Sequence, residues 1–299
     1  MSEIISHRPS DVRLDQAVAA IKGRVSGTQE LSPAQRQELN CIVDQLCEFE
    51  LGRFLLKNQG GLNGEWTHRI ISHPEEGVAE LHPLESFIIF RSPTVRATRE
   101  RFYAFQELLQ DRVHNGCHLA SLPCGVMADL LTLNFGSVSD FSLTGIDLDE
   151  SAFPLARSLA ARYQLQQHCH WIKEDAWNLE LNHQFDVLTS NGLNIYQSDR
   201  TLLVRLYQKF RQALKPGGTL ITSFLSPPPG NNGHTEWNLD AINMDDLQLQ
   251  LKVMGSVLQA TWACFQTEED TRAQLQEAGF EDIEITWGTS RMFPTVCAR

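Results

Sequence analysis

The stretch that decides the fold is residues 185–192 (FDVLTSNG), followed later in the chain by residues 214–221 (LKPGGTLI). The first segment predicts an apolar strand that ends in small polar residues. The second predicts a Pro-Gly-Gly turn, which stops a helix, and then a β-branched strand. Upstream, residues 144–147 (TGID) and 171–176 (WIKEDA) predict two strands that each end in an acid. Acids at the carboxyl ends of successive strands are typical of nucleoside sites in open α/β sheets.

The region after Asn115-Gly116 alternates between strand and helix patterns. Strands are predicted at 117–122, 141–146, 169–173, 185–189 and 219–225, and helices at 126–134, 151–164 and 199–214. This alternation predicts a parallel sheet built through right-handed crossovers. The C-terminal region instead predicts a helix near 267–278 and two strands, at 280–287 and 292–298. Because a short turn joins these two strands, they should pair antiparallel.

The N-terminal region, residues 1–111, reads as mostly helical. Helices are predicted from Asp11 to Val25, from Ser32-Pro33 onward, and from Ser92-Pro93 to about Val113, with residues 61–67 forming a turn anchored by Trp66. Two domains are therefore expected: a helical cap or lid at 1–111 and an α/β core at 112–299. The core should carry an inserted segment at about 226–266, which begins as a loop and continues as a helix over 244–264.

Composition excludes several classes of protein. The net charge of −12 over 299 residues argues against nucleic acid as a general partner. The N-terminal residues lack the long apolar core of a secretory signal, and no run approaches the roughly 18 apolar residues that cross a bilayer. The seven cysteines include no C-x-x-C pair, which favours reduced thiols over disulfides or a metal site. A cytoplasmic protein without stable membrane insertion is expected.

Taken in order along the chain, these strand-end motifs resemble the class I S-adenosylmethionine-dependent methyltransferases. The resemblance covers roughly two thirds of the chain. It implies an α/β, Rossmann-like fold, with a seven-stranded, mostly parallel sheet and an antiparallel C-terminal hairpin, beside the helical N-terminal cap. It also implies S-adenosyl-L-methionine as the cofactor and no metal.

The resemblance assigns roles to residues at the strand ends. The carboxylate of Asp147, with Leu148 beside it, would accept both ribose hydroxyls, while Asp149 is better placed to cap the following helix. Asp175 would meet the adenine amino group and Ala176 would give a backbone contact, with Trp177 as a stacking neighbour. The methionine part would lie against Ser190 and Asn191.

The first strand departs from the family pattern of an acid followed by Gly-x-Gly-x-Gly. Here Ser121 stands in place of the acid. Of the three glycines only Gly125 remains, in the loop Pro123-Cys124-Gly125 that would contact the cofactor. Another element should then hold the methionine tail, and Arg99 on the preceding helix is the candidate, within a group that includes Arg96 and Arg101. The alternative is an exposed charged face with Glu100 as a partner.

No general base is evident from the sequence. His234 and Tyr196 are the candidates for catalysis, and His183 is also expected to border the pocket. A covered, largely apolar pocket suggests a small-molecule or lipid-like acceptor, with O-, N- and C-methylation all open. Residues 191–196 (NGLNIY) lack the Asn/Asp-Pro-Pro-Tyr/Phe motif of enzymes that methylate exocyclic amines, which disfavours methylation of nucleic acid bases.

Two rival functions follow from the same residues. The first is a pseudoenzyme that binds the cofactor weakly or not at all and acts through its N-terminal helices, which the altered first loop would support. The second is a nicotinamide-dependent oxidoreductase. It is disfavoured because residues 123–127 lack the G-x-G-x-x-G turn that seats a pyrophosphate.

Overall fold

The computed structural model describes residues 12–74, 80–230, 235–260 and 264–299, which form two compact units. Helices α1 to α11 are Leu14–Gly27, Pro33–Leu46, Glu50–Lys57, Gly64–Ser72, Pro83–Ser86, Pro93–Gln110, Ala128–Leu131, Phe153–Arg162, Arg200–Ala213, Met244–Gln250 and Glu268–Glu277. Strands β1 to β7 are Cys117–Ser121, Phe141–Asp147, Cys169–Lys173, Phe185–Ser190, Leu214–Ser223, Ile283–Thr286 and Thr295–Ala298.

The larger unit, called the sheet unit, takes its described residues from 97–238 and 264–299. In this described part, seven strands form one sheet in the order β3-β2-β1-β4-β5-β7-β6. Strands β1 to β5 run parallel, and β7 pairs antiparallel with both β5 and β6. The predicted fold class is confirmed. The strand order reverses between β1 and β4, which is where open α/β sheets form a ligand crevice beyond their carboxyl ends.

Both faces of this sheet carry an apolar core. One cluster joins α6, α7 and α8 to β1 and β2, and the other joins α9 and α11 to β4 and β5. Side chains of the first include Phe105, Leu119, Leu130, Leu143 and Phe153, and those of the second include Leu188, Tyr207, Phe210, Leu220 and Leu275. Strands buried on both faces explain why the sequence shows near-continuous apolar runs here.

Two predicted elements of the sheet unit have different limits. The helix expected at 126–134 shrinks to the four residues of α7, because Met127 has a positive φ of 57° that a helix cannot continue. The Pro-Gly-Gly turn expected at 216–218 lies inside β5 instead of ahead of it. Pairing of β4 with β5 shifts register between Phe185 and Val187, so the turn is a local bulge in a longer strand.

The second unit, called the helical unit, takes its described residues from 12–96 and 239–260. Ser32 caps α2 in a capping box with Gln35, as the sequence indicates. The turn predicted at 61–67 is wrong, since α4 begins at Gly64, and Asn63 caps it by accepting a hydrogen bond from the Trp66 amide. The helix predicted over 244–264 is α10 followed by a π-helical stretch that ends at Val257.

The compact units differ from the predicted domain limits. The sheet unit begins at Ala97, inside α6, and residues 239–261 group with the N-terminal helices. Within the helical unit this grouping is carried by polar contacts, one of them buried and one partly exposed. Ser92 Oγ donates to Gln250 Oε1 at 2.6 Å, and Arg91 pairs with Asp246. Part of the expected insertion therefore belongs to the same compact unit as α1–α5.

Candidate active site

The loop after β1 is fixed on both sides by backbone hydrogen bonds. Leu122 N donates to Thr189 O on β4, and Cys124 N donates to Ile146 O on β2, both at 2.9 Å. These bonds continue the sheet pairing beyond the end of β1. The loop therefore has one defined path across the crevice between β2 and β4.

Two residues of this loop adopt the left-handed backbone conformation that glycines usually supply. Gly125 has φ 50° and Met127 has φ 57°, and the Met127 side chain is fully buried in the core. A non-glycine residue in this region is uncommon and is held there by its surroundings. Met127 thus keeps a glycine-like backbone where the family pattern has glycine, so the missing glycine does not open or distort the loop.

Asp147, at the end of β2, is joined directly to this loop. Its Oδ2 accepts from Gly125 N at 2.8 Å and its Oδ1 from Asp149 N at 2.9 Å. Burial raises the pKa of Asp147, and the two hydrogen bonds oppose that rise. Each carboxylate oxygen keeps a further lone pair for a ligand hydroxyl. The ribose role of Asp147 stays a prediction, and the half-buried Leu148 follows it directly.

Asp149 is the residue that caps the next turn, as the sequence predicts. Its Oδ1 accepts from Ser151 N at 3.0 Å at the start of the 3₁₀ turn Glu150–Ala152, which leads into α8. Because Asp149 makes this bond, the Asp147 carboxylate is not used as the helix cap and faces the β1 loop.

Asp175 follows β3 and caps the short 3₁₀ turn Ala176–Asn178. Its Oδ1 accepts from Trp177 N at 3.1 Å and its Oδ2 from Asn178 Nδ2 at 2.9 Å. The Trp177 ring nitrogen donates to Leu202 O on α9, so the ring packs against the core on that side. Contacts of Asp175 and Ala176 with adenine stay predictions, since the carboxylate retains lone pairs beyond its capping bonds.

Buried acceptor atoms without hydrogen-bond partners mark the loop after β4. Ser190 ends the strand, and its carbonyl accepts from Thr222 Oγ1 at 2.9 Å. The Oδ1 atoms of Asn191 and Asn194 are buried and accept no hydrogen bond from the described residues. Native structures pair almost all such atoms, so unpaired acceptors at a crevice point to donors on a ligand.

A buried carboxylate that the sequence analysis missed lies behind the β1 loop. Asp129, in α7, accepts from Thr189 Oγ1 at 2.6 Å, and Ser121 hydrogen-bonds the same carboxylate. Burial raises the pKa of Asp129, against the effect of these bonds. Where the family pattern has an acid on β1, this chain has Ser121, which hydrogen-bonds an acid eight positions later. The signal was one acid inside the apolar run 126–133.

The sheet unit buries Arg101 of α6, and the role of Arg99 in holding the methionine tail stays a prediction. Arg101 is 7% exposed, and Arg99 is half-buried on the same helix. Arg101 Nη1 donates to Ser223 Oγ at 3.2 Å, and its guanidinium lies 4.5 Å from the centre of the Phe293 ring. Burial lowers the pKa of Arg101 to about 10, which leaves it charged at neutral pH.

The sequence contained the signal for this burial. Ala97, Arg101, Phe105 and Leu109 recur every four residues and form the buried face of α6. Charged residues at such positions are rarely buried without a partner. Spacing between the arginines themselves, which favours Arg99, does not show this burial.

The residues predicted to take part in catalysis or to border the pocket lie in different environments. Burial raises the pKa of Tyr196 to about 12, so its phenol stays protonated at neutral pH, and a catalytic role for it stays a prediction. His183 does not border the crevice, because it precedes β4, and its Nδ1 lies 3.0 Å from Leu214 O at the opposite edge of the sheet. His234 lies outside the described residues. Its neighbour Glu236 accepts from Arg291 at 3.4 Å.

Across residues 12–74, 80–230, 235–260 and 264–299, no group of three or more His, Cys, Asp or Glu side chains is arranged to hold a metal ion. In the same ranges, no helix has the length and apolar character needed to span a membrane. The cysteines are free thiols, and burial raises the pKa of Cys124 in the β1 loop far above its usual value. Cys124 is therefore a neutral packing residue and not a thiolate nucleophile.

Comparisons with known proteins agree with this geometry. A methyltransferase domain model matches residues 124–218. The crystal structure of a possible exported protein from Bordetella parapertussis is 42% identical, covers 96% of this chain and 95% of that chain, and has a TM-score of 0.88. The apo form of the S-adenosylmethionine-dependent methyltransferase SibL has a TM-score of 0.54 at 15% identity, covering 95% of this chain and 73% of that chain, and shows the fold alone.

No curated protein matches the chain in sequence. The chain carries a methyltransferase domain over residues 124–218, and its sheet has the architecture of the class I S-adenosylmethionine-dependent methyltransferase fold. The domain and the fold imply S-adenosylmethionine as the cofactor. The Bordetella protein is described as a possible exported protein, and a cytoplasmic location for this chain stays a prediction.

Proposed function

We propose that this protein is an active S-adenosylmethionine-dependent methyltransferase that acts on a small-molecule or lipid-like acceptor. The observation that carries the proposal is the contact between Gly125 N and Asp147 Oδ2, at 2.8 Å. It joins the loop after β1 to the acid that ends β2, in a defined geometry, at the point where the strand order reverses.

The residues at this edge fit the cofactor. The lone pairs left on Asp147 suit the two ribose hydroxyls, and the unpaired Oδ1 of Asn191 suits the methionine ammonium group. Asp175 and Ala176, which follow the neighbouring strand β3, would receive the adenine. The cofactor, when bound, supplies an electrophilic methyl group on a sulfonium leaving group.

The protein's own contribution would be binding and orientation. A rigid loop at 122–127 and the buried end of β4 fix the position of the ligand, and fixed reactants remove much of the entropic part of the barrier. Tyr196, protonated at neutral pH, could donate a hydrogen bond to the acceptor but would not deprotonate it. An acceptor that is nucleophilic without a protein base fits these residues best.

The pseudoenzyme alternative rested on the altered β1 loop. The backbone of Met127 has the conformation expected for a glycine, and Asp129 supplies a carboxylate in place of the acid absent from β1. Both observations support a site that binds the cofactor, and they remove the reason for the pseudoenzyme alternative.

Calorimetric titration tests the proposal. The purified protein is titrated with S-adenosylhomocysteine and S-adenosylmethionine, with NADH as a control ligand. Micromolar binding of an adenosyl ligand, followed by methyl transfer to members of an acceptor panel, is expected. Absence of binding by both adenosyl ligands would contradict the proposal.

A further inference from the structure

The feature that the cofactor site leaves unexplained is the buried guanidinium of Arg101. In the described part of the chain no carboxylate forms an ion pair with it, and its Nε is buried without a hydrogen-bond partner. Among the described residues, the groups that contact it are neutral. They are the Ser223 hydroxyl, the Phe293 ring and the Tyr196 phenol, which stays protonated because burial raises its pKa to about 12.

Such an arrangement costs free energy in the unliganded protein. A buried charge without a counter-ion is strongly disfavoured unless its hydrogen-bonding groups are satisfied. The contact with Phe293, at 4.5 Å from the ring centre, offsets part of that cost. Arg101 still lacks one negative charge and hydrogen-bond acceptor atoms nearby. An anionic ligand would supply both.

The position of Arg101 separates it from the adenosine half of the site. Asp147 lies at the end of β2, whereas Arg101 contacts Ser223 at the end of β5 and Phe293 next to β7. Strands β1 and β4 lie between β2 and β5, so the two strand ends are about 14 Å apart at a spacing of about 4.8 Å. Arg101 therefore lies on the far side of the crevice from the residues predicted to hold the adenosine, on the side that is left for a methyl acceptor.

The immediate surroundings of the guanidinium form a built polar site. Its Nη2 lies 3.8 Å from the position that a Cβ on Gly192 would take, so it borders the loop after β4. Asn194 Nδ2 donates to the carbonyl of Ser223, the residue whose hydroxyl meets Arg101, at 2.7 Å. The Oδ1 of Asn194 is buried and has no donor. The guanidinium of Arg101 and the free acceptor Oδ1 of Asn194 therefore belong to two residues that both contact Ser223 of β5.

We propose that Arg101 is the receptor for a carboxylate group of the methyl acceptor, which narrows the substrate class to small carboxylic acids. A guanidinium binds a carboxylate through two parallel hydrogen bonds, and one positive charge matches one carboxylate. Asn194 Oδ1 then accepts from a hydroxyl or amino group of the same molecule. This inference rests on the proposed function for the identity of the ligand, but the anion site itself does not.

The experiment measures binding of benzoate, with benzamide as its neutral counterpart and inorganic phosphate as an anion control, in the presence and absence of S-adenosylhomocysteine. Wild-type protein is compared with Arg101→Met and Arg101→Lys. The matched control is Arg157→Met, because Arg157 is exposed and also lies over an aromatic ring, 5.2 Å from the centre of Trp171.

Benzoate should bind the wild type and Arg157→Met, at least tenfold more tightly than benzamide or phosphate. Arg101→Met should lose this preference, and Arg101→Lys should keep part of it, since it retains the charge without the fork. The affinity for S-adenosylhomocysteine should be the same in all four proteins. Without ligand, the melting temperature of Arg101→Met should equal or exceed that of the wild type, because an unpaired buried charge is removed.

Three results would overturn the inference. One is equal binding of benzoate by wild type and Arg101→Met. A second is a tenfold loss of S-adenosylhomocysteine affinity in Arg101→Met with unchanged binding of 5′-methylthioadenosine, which would assign Arg101 to the cofactor's carboxylate. The third is a clear fall in the melting temperature of Arg101→Met, which would show a structural role. Failure of the wild type to bind S-adenosylhomocysteine contradicts the proposed function instead, and the benzoate comparison on the free protein still decides the inference.

Discussion

The carboxylate of Asp129 accepts a hydrogen bond from the hydroxyl of Thr189, with 2.6 Å between Oδ2 and Oγ1, and both residues are almost completely buried. This bond joins α7 to β4 behind the loop that follows β1. Thr189 also accepts, through its carbonyl, the amide of Leu122 at the start of that loop. The backbone and the side chain of Thr189 thus bind the two ends of the segment from Leu122 to Asp129.

The buried Asp129 should make stability depend on pH. Burial raises its pKa in the folded state above the ordinary value of an aspartate, so the folded protein binds more protons than the unfolded chain between those two pKa values. Stability from this group is therefore greatest at acid pH and falls as the pH rises through that window. Each pKa unit between the folded and the unfolded state corresponds to about 1.4 kcal/mol in the free energy of unfolding.

Asp129→Asn removes the titration while keeping an acceptor oxygen. Relative to the wild type, the variant should gain stability as the pH is raised from about 4 toward neutrality. Urea unfolding across this range measures the difference, with Glu107→Gln, an exposed acid on α6, as the control. A stability difference that does not change with pH would show that Asp129 has the same pKa in both states.

Asp147→Ala should weaken binding of S-adenosylhomocysteine by about 1.5–3 kcal/mol, or roughly ten- to a hundredfold, because two charge-assisted hydrogen bonds to the ribose are lost. Asp149→Ala is the matched control, since Asp149 caps the adjacent turn by its bond to Ser151 N. Calorimetry measures both, and thermal unfolding checks the fold. Equal affinities in the two variants would remove the ribose assignment.

Gly145 is the point of close approach between β2 and the β1 loop. A Cβ there would lie 2.9 Å from both Cys124 Sγ and Met127 Sδ, and 3.2 Å from Trp171. Gly145→Ala should therefore destabilise the protein by about 1–3 kcal/mol and weaken S-adenosylhomocysteine by shifting the loop. Adding Cys124→Ala should recover part of both losses, because one of the two crowding sulfurs is removed.

The control for this glycine is Gly23→Ala. Gly23 lies inside α1 and has no atom within 4 Å of the Cβ position, so alanine there should stabilise the helix by about 0.5–1 kcal/mol. Unfolding midpoints measure all four proteins. If Gly145→Ala behaved like Gly23→Ala, the loop would not be packed against β2 as described.

The parallel direction of β1 to β5 and the antiparallel closing hairpin could be predicted from sequence because both depend on local signals. Apolar runs that end in Asp147 or Ser190 indicate where strands lie and end. A short turn between two strands indicates that the two pair antiparallel. The β1 loop could not be predicted in this way. Its glycine-like conformation at Met127 is imposed by burial of that side chain, and no residue-level propensity signals a methionine with positive φ.

The site itself was predictable only in part for a similar reason. Asp147 stands at a strand end, so its position follows from the topology. Arg101 and Asp129 acquire their environments from packing between distant elements, α6 with β5 and α7 with β4. Sequence spacing showed each on an apolar face, but a charged residue on such a face is ambiguous until its partners are known.

Glu100 joins α6 to the turn between β6 and β7. Its Oε1 accepts from the amide and the hydroxyl of Thr289, at 2.7 and 2.6 Å, and its carboxylate lies against Gly288, where a Cβ would be 2.9 Å from Oε2. Glu100→Ala removes both bonds and should destabilise the sheet unit by about 1–2 kcal/mol. It should also speed hydrogen exchange at the Thr289 amide, which loses its acceptor.

Glu107→Ala is the control for this prediction, since Glu107 is exposed on the same helix and alanine is a good helix former. Exchange measured by mass spectrometry on peptides covering 286–295 should rise in Glu100→Ala and stay unchanged in Glu107→Ala. The effect should reach Phe293 in the same turn, whose ring contacts Arg101, so benzoate binding should weaken as well. Unchanged exchange in Glu100→Ala would mean that the turn is held by β7 alone.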